Sequence, residues 1–180
     1  MNKSKLHNLI KTHAINFGNF NLFSGKSSHY YVDLKKVSLN SEFLCHLGEI
    51  LFEMTKDMNI QAVGGLETGA IPIVSACATG YSRFGGNVNG FFVRKQIKKH
   101  GSGSLIEGIV NEGDRVVVVD DVFTTGKSAM QAVKEIEKIG AKIVCVICVV
   151  DRLKGAKELF SEYNYKSIFA ISDFELINNL

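Results

Sequence analysis

Residues 115–128 read RVVVVDDVFTTGKS. The four valines at 116–119 form a continuous β-branched run rather than an alternating one, which fits a strand covered on both faces. Asp120 and Asp121 end the run. Val122, Phe123, Thr124, Thr125 and Gly126 then carry the chain through a turn, and Lys127 and Ser128 open a stretch with helical spacing, KSAMQAVKEIEKIG. A strand, an acidic turn and a helix in that order read as one half of a βαβ unit.

The same texture lies on either side. QAVGGL precedes GAIPIVSACATG, and KIVCVICVVDR precedes KGAKELF, an alternation that predicts a parallel sheet. Upstream the pattern differs. Residues 4–16 place Leu6, Leu9, Ile10, His13 and Ala14 at helical spacing, with Ser4 as a cap. Residues 20–33 flank the turn-rich Ser24-Gly25-Lys26-Ser27-Ser28 with apolar and aromatic side chains and read as a hairpin. Residues 40–58 read as an amphipathic helix carrying Phe43, Leu44, Leu47, Ile50, Leu51 and Met54. The expectation is one α/β domain over residues 1–180: a central, mostly parallel sheet flanked by helices, with a small N-terminal helix-and-hairpin extension. Ligands of open α/β sheets bind beyond the carboxyl ends of the strands, so the residues just after each apolar run are the candidates for chemistry.

Composition narrows the class. The chain has 180 residues, 46% apolar and 22% charged, which argues against disorder, collagen and coiled coil. Pro72 is the only proline, so Pro-rich linkers are excluded. A net charge of +3 is too small to argue for nucleic acid, and no nucleic-acid partner is expected. The N-terminal stretch is interrupted by Lys and His and does not read as a signal peptide. No uninterrupted apolar run reaches the ~18 residues of a membrane helix, so no membrane association is expected. Cys45, Cys77, Cys145 and Cys148 fall in apolar segments. Cys145 and Cys148 are three apart on a predicted strand and point to opposite faces, so buried free thiols are expected and no shared metal. That pattern fits a reducing, cytoplasmic setting.

Two carboxylates at the end of a buried strand are costly without partners. They suit sugar hydroxyls or Mg²⁺, met directly or through water. The Thr-Thr-Gly-Lys-Ser stretch opens a helix, where free N–H groups and the dipole favour a phosphate. Gly126, Lys127 and Ser128 imitate the end of a nucleotide-binding P-loop, but its first glycine would fall at Asp121, so the motif is absent. Gly101 and Gly103 do not complete a dinucleotide motif, since position 106 is Ile106. A second basic feature, Arg94-Lys95-Gln96-Ile97-Lys98-Lys99-His100, precedes Gly101-Ser102-Gly103-Ser104. Repelling cations beside a Gly/Ser stretch suit a loop that closes over a polyanion.

The acidic turn resembles the phosphoribosyl diphosphate (PRPP) signature of type I phosphoribosyltransferases. That resemblance implies the type I phosphoribosyltransferase fold, with Asp120 and Asp121 holding the ribose hydroxyls and helping to place Mg²⁺, and residues 124–128 cradling the 5′-phosphate. On its own this turn leaves the acceptor base open, and with it a non-catalytic PRPP-binding regulator. The segment FFVRKQIKKHGSGSLIEG resembles the mobile catalytic loop of orotate phosphoribosyltransferases, with Arg94, Lys95, Lys98, His100 and Gly101 in register. It implies a mobile loop over about 94–108 that reaches into the partner subunit's site, and therefore a homodimer with shared active sites. Lys98 and His100 would do the loop's catalytic work with Asp120 and Asp121 in the turn. Arg94, Lys95, Lys98, His100, Asp120, Asp121, Val122, Phe123, Thr124, Thr125, Gly126, Lys127 and Ser128 would bind PRPP.

Residues 20–33 resemble that family's N-terminal hood, spanning about residues 1–38, whose Lys26 would face the substrates. Gly64-Gly65-Leu66-Glu67-Thr68-Gly69-Ala70 resembles its diphosphate loop. Thr68 stands where some members carry lysine, which implies a weaker grip there. Arg152 follows a Val/Ile strand at the ligand edge, where the family places an arginine on orotate. With Thr124 and Lys26 it completes the expected orotate set. The resemblance implies transfer of a phosphoribosyl group from PRPP to orotate in pyrimidine biosynthesis.

Overall fold

The computed structural model describes residues 2–21, 27–96 and 104–174. The chain runs through α1 (Asn2–His13), a hairpin of β1 (Ile15–Asn21) and β2 (Ser27–Val32), α2 (Ser41–Thr55), β3 (Ala62–Gly64) and α3 (Ala70–Arg83). It continues with β4 (Asn89–Val93), β5 (Ile106–Gly108), β6 (Arg115–Phe123), α4 (Lys127–Lys138), β7 (Lys142–Asp151), α5 (Ala156–Leu159) and β8 (Tyr165–Ala170). The six-stranded sheet has the order β5-β4-β3-β6-β7-β8, while β1 and β2 pair separately. Only β5 runs antiparallel to its neighbour in the large sheet.

The valine run explains the layering. Side chains of a strand alternate between its faces. Val117 and Val119 join Cys145 and Ile147 in a core with Leu6, Phe43, Leu47 and Ile73 from the first three helices. Val116 and Val118 join Val146 and Cys148 in a second core with Ala129, Ala132, Val133 and Ile136 of α4. All four valines are fully buried, each worth roughly 1.5–3 kcal/mol relative to exposure. A polar residue at any of them would face a core, so the run has to be continuous.

The helices start where local chemistry allows it. The side chain of Asn40 accepts from the Phe43 N–H at 3.0 Å and caps α2. Pro72 lies in the first turn of α3, where no intrahelical donor is lost. Gly126 takes φ +77° just before α4, a conformation that favours glycine. The α2–α3 crossing is close because both helices offer glycine there. A Cβ on Gly80 would lie 2.7 Å from the Gly48 carbonyl carbon.

The predicted helices, hairpin and three strands are all present, with differences. β6 does not stop before the acids but runs on to Phe123, pairing Phe123 with Asp151 of β7. Asp120 and Asp121 therefore sit inside the strand and not in the turn. Ile106–Gly108, expected as the end of a loop, form β5, with Ile106 opposite Val93. β4 and β8 lack the long Val/Ile runs that mark β6 and β7. Cys145 and Cys148 do lie in opposite cores, and burial pushes the Cys145 thiol up to about 11. Cys45 departs from the expectation. It is a free thiol exposed on α2, because the apolar stripe of that helix passes through Phe43, Leu47 and Leu51 instead.

Gly80→Ala should force α2 and α3 apart. Overpacking of this kind costs typically ~1–3 kcal/mol, so the melting temperature should fall by roughly 2–12 °C. Thermal unfolding followed by circular dichroism measures this, and an unchanged midpoint would show that the crossing tolerates a methyl group.

Candidate active site

Three connections meet at the carboxyl edge of the sheet: the turn between β3 and α3, the turn between β6 and α4, and the end of β7. Gly65 packs on the Val119 carbonyl so closely that a Cβ there would clash with its oxygen. Gly69 closes on the next carboxylate, since a Cβ there would lie 2.8 Å from the Asp121 Cγ. Small residues in the first connection thus bring its backbone against the acids of the second.

Asp120 is buried, with 6% of its surface exposed. Its Oδ1 accepts from the Asp121 N–H at 3.0 Å. Burial, aided by the neighbouring Asp121 charge, pushes the Asp120 carboxyl up to about 7. Asp121 accepts from the Val122 N–H at 2.7 Å, and the Lys35 ammonium stands 4.0 Å from its other oxygen. Among the described residues no group of three or more His, Cys, Asp or Glu side chains gathers to hold a metal. A cation at this pair would therefore need oxygens from water or a ligand as well.

On the adjacent strand, Arg152 is 8% exposed. Its backbone N–H donates to the Phe123 carbonyl at 2.9 Å, which extends the β6–β7 ladder by one residue. Its Nη1 lies 3.4 Å from Thr124 Oγ1, and the guanidinium sits 5.1 Å from the centre of the Tyr30 ring. Nε and Nη2 are buried and find no hydrogen-bond acceptor among the described residues. These two nitrogens form one edge of the guanidinium fork, the arrangement that grips a carboxylate with two parallel bonds. A cation held out of water with donors unused is costly until an anion meets it.

The structure thus gathers Asp120, Asp121, Thr124, Gly126 and Arg152 at one edge. Lys127 and Ser128 are exposed at the start of α4, and Thr125 is exposed before it. Phe123 is the last residue of β6, beside Thr124. Its ring is 1% exposed and stacks on Phe160 at 5.4 Å, so only its backbone faces the edge. Val122 is half-buried and packs against the first core. Arg94 and Lys95 follow β4. The Arg94 Nη1 lies 3.6 Å from a Glu107 oxygen, and the Lys95 N–H donates to Glu67 Oε1 at 2.9 Å. Lys26, Lys98 and His100 lie outside the described residues. Sequence reasoning missed Lys35, which no motif marks, and Glu67 as the partner of the Lys95 backbone. A cavity of about 660 Å³ lies beyond Asp151, between α5 and β8, and is lined by none of the acid pair, Thr124 or Arg152. The chemistry therefore sits beside that cavity and not in it.

Residues 36–179 match the family described as Phosphoribosyl transferase domain. The orotate phosphoribosyltransferase of Methanocaldococcus jannaschii is 44% identical over 175 residues, which cover 97% of this chain and 96% of that protein. The chain belongs to the orotate phosphoribosyltransferase family. Solved structures of orotate phosphoribosyltransferase from Mycobacterium tuberculosis agree. The complex with Fe(III) dicitrate superposes with a TM-score of 0.87 at 35% identity, covering 98% of this chain and 100% of that one. The complex with PRPP gives 0.83 at 33% identity, with the same coverage. The likeness spans the six-stranded sheet together with the helix and hairpin that precede it.

The raised pKa of Asp120 makes a stability prediction with a definite sign. The folded chain keeps a proton here up to about pH 7, whereas an unfolded carboxyl releases it near 3.8. This group's contribution is most favourable below pH ~4, declines as the pH rises towards 7, and stays unfavourable above. Asp120→Asn should therefore raise the melting temperature at pH 8 by roughly 2–8 °C, and the gain should shrink at pH 4.5. Equal gains at both pH values, measured by calorimetry, would contradict a proton held at Asp120.

Proposed function

We propose that the chain transfers the 5-phosphoribosyl group from PRPP to orotate, giving orotidine 5′-phosphate and diphosphate in pyrimidine biosynthesis. The observation that carries this reading is the open edge of Arg152. Its unused Nε and Nη2 match the carboxylate that distinguishes orotate from uracil, and a purine base offers no such group. Thr124, in contact with Nη1, would bond the same base. The M. tuberculosis relative in complex with PRPP supports the other half of the reaction.

The reaction displaces diphosphate from C1′ and builds positive charge on the ribosyl centre, so positioned charge does most of the work. Asp120 and Asp121 would tether the ribose hydroxyls and stabilise the cationic centre, while the turn 124–128 and the start of α4 hold the 5′-phosphate. Arg152 orients the orotate ring. Lys98 and His100, with Arg94 and Lys95 at the base of their segment, would neutralise the departing diphosphate. No side-chain nucleophile is required. The donor set fits Mg²⁺, an ion that keeps several waters and takes one or two carboxylates plus substrate oxygens. Asp120 and Asp121 would hold it, directly or through water, and when bound it offsets diphosphate charge.

The same reading makes the protein a homodimer whose basic segment, within 94–108, serves the neighbouring site. A segment this charged cannot pack into its own core without partners. Residues 1–180 would act as one catalytic domain in the cytoplasm. No helix among the described residues is long and apolar enough to cross a membrane.

Arg152→Ala should raise the orotate KM by roughly 10- to 100-fold while the PRPP KM changes by less than about threefold. Loss of orotate absorbance with PRPP and Mg²⁺, with uracil and hypoxanthine as comparison acceptors, measures both. Turnover of hypoxanthine in preference to orotate would overturn the assignment of the base.

Shared sites predict complementation. Lys98→Ala and Asp121→Asn should each be nearly inactive alone. After subunit exchange, each heterodimer should hold one site with both defects and one with neither, so about half of its sites recover. If exchange is confirmed by native mass spectrometry and no activity returns, the segment serves its own subunit.

A further inference from the structure

Arg152 is held in place from behind by a buried polar chain that the mechanism above does not use. Asp151, the last residue of β7, is 3% exposed, yet its carboxylate does not pair with the adjacent guanidinium. Its two oxygens are engaged otherwise. Oδ2 accepts the Tyr165 hydroxyl proton at 2.7 Å, and Oδ1 accepts the Leu153 N–H at 2.8 Å. The Cys148 sulfur lies 3.4 Å from the same hydroxyl. Since the tyrosine proton goes to Asp151, the thiol is the donor in that contact. Tyr165 itself is fixed by stacking on Phe123 and Phe160, each at 5.9 Å between ring centres.

What this chain of bonds holds is a bend. Leu153 has φ +56°, a left-handed conformation that a leucine adopts at a cost. Its side chain is 60% exposed, so packing does not compensate for that cost, and the Asp151 carboxylate on its N–H is the contact that does. The bend turns the chain away immediately after Arg152. The guanidinium is then left between Thr124 and Tyr30 with its Nε and Nη2 edge free of acceptors among the described residues. If Leu153 relaxed to an extended conformation, the backbone that carries Arg152 would rotate with it.

We propose that Asp151 and Tyr165 are positioning residues for the acceptor base, which set the orientation of Arg152 by holding Leu153 in its left-handed bend. This rests on the reading of Arg152 as the group that grips the orotate carboxylate. Its consequence is selective. Loosening the bend misaligns the fork for orotate and leaves the PRPP turn, which belongs to β6 and α4, in place.

The test uses the full chain and the orotate absorbance assay. Tyr165→Phe removes one hydroxyl and keeps the stacked ring, so the fold is retained. It should raise the orotate KM about five- to tenfold, the size of one net hydrogen bond, with the PRPP KM constant within about twofold. Asp151→Asn should do the same or more. Adding Leu153→Gly to Asp151→Asn should bring the orotate KM at least halfway back, because glycine takes positive φ without the carboxylate. A purely structural role would not produce that rescue. Equal rises in both KM values, a lower melting temperature with an unchanged orotate KM, or no recovery with Leu153→Gly would each overturn the proposal. A parent chain that does not turn over orotate at all would overturn the proposed reaction and this inference together. An active parent with unresponsive variants overturns the inference alone.

Discussion

The carboxylate of Asp120 stands where a strand buried on both faces stops being core. The four residues before it on β6 are valine because either face meets a hydrophobic layer, and the chain at and after it must manage a charge brought out of water. The position is uncomfortable by construction. Burial and the Asp121 charge together favour a proton on Asp120, which a polar or cationic ligand would displace. On the next strand the mirror situation holds, since Arg152 carries donors without acceptors. No ion pair joins the two, although they end neighbouring strands. The β6–β7 ladder pairs Phe123 with Asp151 and holds their backbones in fixed register, so neither charge can collapse onto the other.

That rigidity is bought in the connections. Gly65 and Gly69 let one turn lie against the backbone and carboxylate of another, and a side chain at either would push the two apart. Close backbone approach at a ligand edge is a standard use of glycine. Gly126 and Leu153, both at positive φ, redirect the chain just after the residues gathered at the carboxyl edge. Each is locally unfavourable or entropically costly, and the two hydrophobic cores supply the stability that tolerates them.

Much of this was legible in the sequence, for identifiable reasons. The continuous valines of β6 and the Val/Ile run of β7 signal strands buried on both sides, and the acids after the first run are costly enough to demand a function. The hairpin and the amphipathic α2 followed from turn residues and helical spacing. What stayed hidden was structure whose sequence carries no periodicity. β4 and β5 are short and interrupted by glycine and by Glu107, and β8 mixes Lys166 and Ser167 with aromatics. The extension of β6 through Asp120 and Asp121 was unreadable because the ladder with β7, and not local preference, keeps two acids in a strand. Lys35 and Glu67 were missed because their partners, Asp121 and the Lys95 backbone, are distant in sequence and meet only through the sheet edge.

The N-terminal hairpin gains a meaning from this arrangement that its own sequence does not announce. Tyr30, on β2, covers the Arg152 guanidinium at 5.1 Å, and Lys35, just after the hairpin, approaches Asp121 at 4.0 Å. One short segment therefore sets a π face against the cation and an ammonium against the anion. The Lys35 contact is weak through distance and exposure, Lys35 being 66% exposed, and the Tyr30 ring offers the buried Arg152 cation a π face but no hydrogen-bond acceptor. Stronger ones would compete with substrate, because a tight ion pair at Asp121 or a bidentate acceptor on Arg152 would have to be broken on every turnover. Weak complementary contacts hold the two charges tolerably and would yield to a better-matched ligand. A binding site needs that compromise wherever a buried charge must stay available.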